Sequence, residues 1–391
     1  MTEEVLSRRA DELKDLLEKY DYKGYDPFDI LNSPFLSSVS RNYYFNLVIN
    51  KFGSRVASDN LRKLLRVPLI EDPKIYTCSY FAYKLLEDKD PYNSKLMINR
   101  LVGLTKQSNY GTYWGYDYTW PTIYDGTNRK GNSTLVPSSF AMFALSYDFT
   151  LTQNNKLLNI LDSTLAYFIK EHYCFNDRGY FLGYFSHSKV NTHNANLLGC
   201  AALSIASVIT GTNTHLNKIS KCALTSLKLI DRNGFLSYND HSRGNWTDAY
   251  HHLYIIGSLY IIKSFNDKVD KELYEEKILQ LSEYYRDNFL LKGNLLNYFP
   301  NTFYPIDCHN YAAAIIFSVL FQNKIFADSI DIYQLFLNID KITWNKKKKR
   351  YLHKVHKMRK DKRFFLRWNQ SWMFLAIAVL MKKDKIMDTF H

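Results

Sequence analysis

Residues 194–209 read NANLLGCAALSIASVI, and residues 216–230 read LNKISKCALTSLKLI. The first stretch is apolar on every face and rich in small residues, so as a helix it can only be buried. The second is amphipathic and carries a charged face. The same alternation runs along the chain. Apolar segments recur at Tyr76–Leu86, Leu135–Tyr147, Asn194–Ile209, Ala249–Ile262, Tyr311–Phe321 and Ser371–Met381. Between them lie amphipathic segments at Ser94–Thr105, Lys156–Tyr173, Leu216–Ile230, Lys271–Phe289 and Ile325–Ile339. In Lys271–Phe289 the apolar positions Leu273, Ile278, Leu281, Tyr285 and Phe289 make the single stripe of a surface helix.

From residue 135 on, the apolar segments begin about 55 to 62 residues apart. A buried helix followed by a surface helix, repeated about six times, predicts an all-α chain folded as an (α/α)6 toroid. Apolar helices form its inner ring and amphipathic helices its outer ring. An open α-solenoid is the alternative. NDRGYFLGYF (176–185), DRNGFLSYND (231–240) and KGNLLNYFPN (292–301) follow outer helices, and each reads as a short β-hairpin. The long loops then fall before the inner helices, at one end of the ring, which is the mouth of its funnel. Residues 1–60 are expected to be an N-terminal helical extension packing on the ring, and residues 61–391 the toroid itself.

Composition agrees. Gly (15) and Pro (9) are too scarce for a turn-rich all-β fold. Aromatics reach 16%, with 31 Tyr, a load that suits sugar-binding surfaces. The net charge of +13 is local: residues 341–363 hold 12 Lys/Arg and one Asp, leaving 39 basic and 37 acidic side chains elsewhere. A near-neutral body argues against nucleic-acid binding. The five cysteines include no CxxC and read as reduced thiols. MTEEVLSRRADELKDLLEKY (1–20) has no apolar core of a signal peptide, so a soluble, cytoplasmic protein is expected.

Candidate chemistry lies where each long loop runs into an inner helix: YWGYDYTW (113–120), NTHNAN (191–196), NWTDAYHH (245–252), YPIDCHN (304–310) and RWNQSW (367–372). Acid/base work needs carboxylates or imidazoles, and sugar binding needs flat rings and amides. Asp248 and Asp307 are the expected acid/base pair, with His193 and His309 as further catalytic groups. Substrate binding is assigned to Trp114, Asp117, Asn194, Trp246, His251, His252, Arg367, Trp368 and Gln370. The plainer alternatives are that Asp248 and Asp307 only cap helices and that the histidines and tryptophans only build walls. His251 and His252 are adjacent and point to different helix faces, so no shared metal ion is expected, and no cofactor.

DPFDILNSP (26–34), WGYDYTW (114–120), NTHNANLLGCAAL (191–203), NWTDAYHHLYIIGSL (245–259), YPIDCHNYAAAI (304–315) and RWNQSWMFLAIAVL (367–380) together resemble a bacterial surface-polysaccharide biosynthesis family whose members are described as VpsJ-like. The resemblance runs from about residue 24 to the end. Cys308 stands where that family more usually has a small or β-branched residue, and Asn310 where Ser is common. The resemblance implies a six-hairpin glycosidase-like toroid, similar at the level of fold to the catalytic domain of glucuronyl C5-epimerases. It implies a carbohydrate-active enzyme of extracellular or capsular polysaccharide. Hydrolysis is the first expectation, and epimerisation or elimination at a uronic acid the second. A non-catalytic glycan-binding subunit of a synthesis complex is the alternative of another class. The partner is an oligo- or polysaccharide, acidic or lipid-linked. The basic segment 346–363 is expected at the funnel mouth, where it could meet an anionic glycan or a membrane surface.

Overall fold

The computed structural model describes residues 2–37, 42–87, 92–321 and 330–388. The chain opens with helix α1 (Thr2–Lys19), the single turn α2 (Pro34–Ser37), α3 (Tyr43–Arg55) and α4 (Asp59–Leu64). Then inner and outer helices alternate. The inner ones are α5 (Pro73–Leu86), α7 (Leu135–Thr152), α9 (His193–Thr210), α11 (Ala249–Phe265), α13 (Cys308–Leu320) and α15 (Ser371–Met381). The outer ones are α6 (Tyr92–Gly103), α8 (Asn155–Glu171), α10 (Leu216–Leu227), α12 (Lys271–Phe289) and α14 (Ile332–Thr343), and α16 (Lys383–Asp388) is the last described helix. The start of the expected segment Ile325–Ile339 lies outside the described residues.

Each inner helix packs on the next, and α15 packs back on α5, so the array closes into a ring. Closure excludes the open solenoid. The small residues of the inner ring make its tight packing possible. A Cβ at Gly199 would come within 2.7 Å of Leu135, and one at Gly257 would strike the Phe317 ring. In α15 every residue from Ser371 to Leu380 is buried, as its unbroken apolar run requires.

α1 packs on α15, and its stripe Leu6, Ala10, Leu13 and Leu17 joins the one large core shared by the ring. It thus occupies the outer position beside the last inner helix. Arg9 ties it there, with Nε and Nη2 donating to Asp340 at 2.8 and 3.0 Å. Residues 26–37 and 42–65 form a separate wedge over a small core of Ile30, Leu31 and Ala57. Its centre is the fully buried Arg62, whose Nε donates to Asp29 Oδ1 at 2.8 Å and whose Nη2 donates to the carbonyls of Asp26 and Gly53.

Short antiparallel pairs line the end where the inner helices begin. They join 106–108 to 111–113, 120–122 to 126–128, 173–176 to 179–182, 290–291 to 295–296 and 344–345 to 350–351. A three-stranded piece unites 306–307, 354–355 and 360–361. DRNGFLSYND (231–240) forms no strand pair of its own. Asp231 Oδ1 accepts from the amides of Asn233 and Phe235 at 2.9 Å each, and that turn replaces the expected hairpin.

Candidate active site

Three inner helices begin with an aspartate. Asp72, Asp248 and Asp307 accept from the amides of Lys74, His251 and His309 at 2.8, 2.9 and 2.9 Å. Each satisfies a free helix N–H and complements the dipole, for about 1 kcal/mol. Capping places the next turn of each helix at the ring's mouth. There a cleft of about 710 Å³ opens, bounded by the first turns of α5, α7, α9 and α11, by the Arg367–Trp368 segment and by α3.

Its walls are aromatic. Trp246 stacks on Tyr238 at 4.4 Å with 9° between planes. Phe28 stacks on Trp120 at 5.3 Å, and Tyr116 on Tyr118 at 4.9 Å. Trp368 completes the lining, its indole N–H donating to Asp26 Oδ2 at 3.1 Å. Flat faces with polar edges are the surfaces on which sugar rings rest.

His251 lines the cleft, and its Nδ1 lies 2.9 Å from Asp248 Oδ2. Asp248 is buried and does not line the cleft itself. With a carboxylate as partner, Nδ1 is a ring nitrogen that carries a proton. Deeper down, the Tyr254 hydroxyl lies 2.6 Å from His309 Nε2. His309 is fully buried between the Tyr250 ring (4.4 Å) and the Trp372 ring (4.5 Å). Burial, with Lys74, His251, Lys354 and Arg367 around it, holds its pKa well below the ordinary histidine range. It is therefore a neutral ring that can accept from Tyr254, and only Tyr254 reaches the cleft.

The expected site residues divide accordingly. Asn194, Trp246, His251, Arg367 and Trp368 line the cleft, while Asp248 and His309 stand one contact behind it. Asp307 is buried against Lys354 Nζ at 3.2 Å, and burial raises its pKa in spite of that cation. His193 is enclosed between Ser226 Oγ (3.0 Å) and Asp240 Oδ1 (3.1 Å). His252 is bonded to the Leu281 carbonyl at 2.9 Å, and burial lowers its pKa to about 4. Trp114 is a core residue whose indole donates to the Leu101 carbonyl. Asp117 pairs at the surface with Lys130 at 3.0 Å, and Gln370 is spent on the Tyr351 backbone. None of these last six lines the cleft.

The basic segment does not surround the cleft either. Lys346, Lys347, Lys348 and Lys349 form an exposed tip next to Glu12, Asp15 and Asp59, and Lys349 Nζ is 3.7 Å from Glu12. Arg350 reaches Asp59 at 3.5 Å, and Arg363 is chelated by Asp361. Much of this charge is thus used within the fold.

Besides Tyr254 and Trp120, two charged groups come from outside the expected set. Lys74, at the start of α5, is 6% exposed and lines the cleft. Burial, reinforced by Arg367, lowers its pKa to about 8. Asp26, from the wedge, holds the Arg367 guanidinium at 2.6 Å, with Asp72 3.5 Å away. Burial raises Asp72 to about 6 against the pull of Arg367. Among the described residues no group of three His, Cys, Asp or Glu side chains is placed to hold a metal ion. No helix among them is long and apolar enough to cross a membrane.

No family model and no curated relative matches the chain. Solved structures do share its fold. Cellobiose 2-epimerase from Spirochaeta thermophila superposes with a TM-score of 0.57 at 13% identity, over 82% of this chain and 87% of that one. The GH76 α-mannanase of Bacteroides thetaiotaomicron gives 0.54 at 14% identity, over 80% and 86%. The Lin0763 protein of Listeria innocua gives 0.56 at 12% identity and matches almost end to end, over 99% and 98%. The fold is therefore that of the six-hairpin glycosidase-like (α/α)6 toroids.

Proposed function

We propose that the protein is a carbohydrate-active enzyme that moves protons on a glycan, with His251 as the acid/base group and Asp248 as the residue that orients it. The observation that carries this reading is the pairing of His251 Nδ1 with the buried Asp248 carboxylate at 2.9 Å, at the wall of an aromatic cleft. A buried carboxylate behind an imidazole fixes the tautomer and stabilises the imidazolium that forms on proton uptake. Tyr254, backed by the neutral His309, is the second proton-carrying group in reach of the cleft. Trp246, Trp368 and Trp120 supply the sugar platforms.

An imidazole centre favours proton transfer at a sugar carbon, as in epimerisation or isomerisation, over hydrolysis by a carboxylate pair. Asp248 and Asp307 are both engaged behind the lining, one with His251 and one with Lys354. Asp125 does line the cleft, but its oxygens accept from the Lys189 amide and the Ser188 hydroxyl. That an epimerase and a mannanase share the toroid supports a glycan substrate. The setting is the one the sequence resemblance implies, a bacterial surface polysaccharide. The test is to incubate the protein with a panel of oligosaccharides in D₂O and follow them by proton NMR. Time-dependent deuterium incorporation with a new epimer or isomer, absent with His251→Gln, is expected. New reducing ends without exchange would replace this chemistry with hydrolysis. Bound but unchanged sugars would make the protein a binding subunit.

A further inference from the structure

We propose that the floor of the cleft is a subsite for the carboxylate of an acidic sugar, a hexuronic acid residue of the glycan, held by the ammonium group of Lys74. The inference rests on the carbohydrate reading above and names the substrate class of that same site.

The case begins with an unmet need. Lys74 lies 94% buried and lines the cleft, yet among the described residues no oxygen or nitrogen accepts a hydrogen bond from its Nζ. Aromatic rings surround it instead: Phe140 at 4.8 Å, Trp372 at 5.4 Å, Tyr254 at 5.5 Å and Trp368 at 6.0 Å. Ring faces attract a cation, but they accept none of its three N–H bonds in full. A buried ammonium without acceptors is costly, and a ligand oxygen placed there would remove the cost.

The other charged groups of the floor are already paired. Arg367 is held by Asp26 and Asp72, Lys354 by Asp307, and Asp248 by His251. Among the described residues Lys74 is the buried cation of the lining left without a carboxylate, while Lys51 and Arg55 of α3 line the cleft at its solvent-exposed rim. One unpaired positive charge suits one negative charge. A phosphate dianion would sit close to the Asp26 and Asp72 carboxylates, which a monoanion tolerates better. On α9, two inner helices round the ring from α5, Asn194 also lines the cleft, with its buried Oδ1 lacking any partner. That acceptor fits a sugar hydroxyl of the same ligand. Lys74 stands on α5, opposite α11 across the six-membered ring, and still comes within 5.5 Å of the Tyr254 ring. A uronate anchored there would lie between its anchor and the proton-carrying groups of α11.

Besides burial, the groups that set the charge state of Lys74 are Arg367 before α15, Asp72 and Cys78 of α5 and its cap, and Asp26 from the wedge; the Tyr254 ring faces it from α11, and His309 on α13 feels its charge. Its low pKa means that the anchor is charged at neutral pH and is lost as pH rises through about 8.

The experiment is a set of binding titrations followed by the fluorescence of the lining tryptophans. The probes are methyl glycosides of glucuronate, galacturonate and mannuronate, each against its neutral hexose, with inorganic phosphate as a third arm. At least one uronate should bind about tenfold or more tightly than its neutral counterpart at pH 7, as a charge-assisted bond to a buried cation would give. The preference should collapse in Lys74→Gln, persist in Lys74→Arg, and fade above pH 9 in the parent. Lys74→Met serves as the second uncharged variant, with circular dichroism to confirm its fold. Neutral sugars binding as tightly as uronates would overturn the subsite and leave the glycan reading standing. So would a uronate preference that survives in Lys74→Gln. Binding of phosphate but of no uronate would replace the carboxylate with a phosphate group. If no sugar of either kind bound, both readings would fall together.

Discussion

Replacing Lys74 by methionine should make the unliganded protein more stable, even though it removes a residue of the site. The side chain lies in an aromatic surround and is 6% exposed. Its pKa falls from 10.5 to about 8 on folding. At 1.36 kcal/mol per unit, a fall of about 2.5 units amounts to a penalty of about 3 kcal/mol for keeping the ammonium in the folded state. Attraction to the surrounding rings offsets part of it, at about 2 kcal/mol for a desolvated site, so the net gain in Lys74→Met is about 1 kcal/mol at pH 7. The sign with pH follows from proton counting. Between pH 8 and 10.5 the unfolded lysine binds a proton that the folded one releases, so the parent's stability rises with pH across that window. Below pH 8 the penalty is constant, and above 10.5 it is gone. Urea melts of parent and variant at pH 7 and at pH 10.5 measure the difference. A variant less stable than the parent at pH 7, or a difference that does not change with pH, would refute the reasoning. It would mean that the cation–ring contacts hold the floor together.

Further expectations concern other parts of the molecule. Asp248→Asn keeps a cap on α11 but presents the wrong group to His251 Nδ1; turnover should fall by about 10³-fold or more with little change in melting temperature, measured by rate assay and calorimetry. Arg62→Met leaves Asp29 buried without its partner; it should cost about 3–5 kcal/mol in a urea melt. Burial already raises Asp29 to about 6, so part of that loss should be recovered below pH 6, where the lone carboxyl takes up a proton. Replacing Lys346, Lys347, Lys348 and Lys349 with Gln should leave affinity for short oligosaccharides within about twofold, since an exposed tip outside the cleft adds little across a Debye length at physiological salt.

The ring was legible in the sequence because burial on all faces leaves a plain mark. Ser371–Met381 has no polar face to turn outward, and the other inner segments share that trait. The closing partner of α15 was not legible as such. α1 has the stripe and charged face of any surface helix, and only its packing on α15 and the Arg9–Asp340 contact, 331 residues apart, reveal where it belongs. The cleft was legible as a place, because four of the five loop-to-helix junctions contribute to its lining and 304–310 does not. Side-chain direction was not, because adjacent helical residues point about 100° apart. His251 and His252 divide on that angle, one into the cleft and one into the α11–α12 interface. The same geometry sends His193 into the contact with α10 and Asp307 towards Lys354. Lys74 was missed because a lysine after Asp-Pro at a helix start reads as solvated. Its burial comes from Arg367, Trp368 and Trp372, nearly three hundred residues away in sequence.

The central claim is that a glycan lies in this cleft with a sugar carbon presented to His251. The most direct measurement is a crystal structure of His251→Gln soaked with a uronate-containing oligosaccharide at saturating concentration. The account predicts sugar density on the Trp246 and Trp368 faces, a carboxylate within hydrogen-bond distance of Lys74 Nζ, and a ring carbon about 3–3.5 Å from the side-chain terminus at position 251. An empty cleft at saturation, or a sugar bound with its reactive carbons turned away from residue 251, would contradict it.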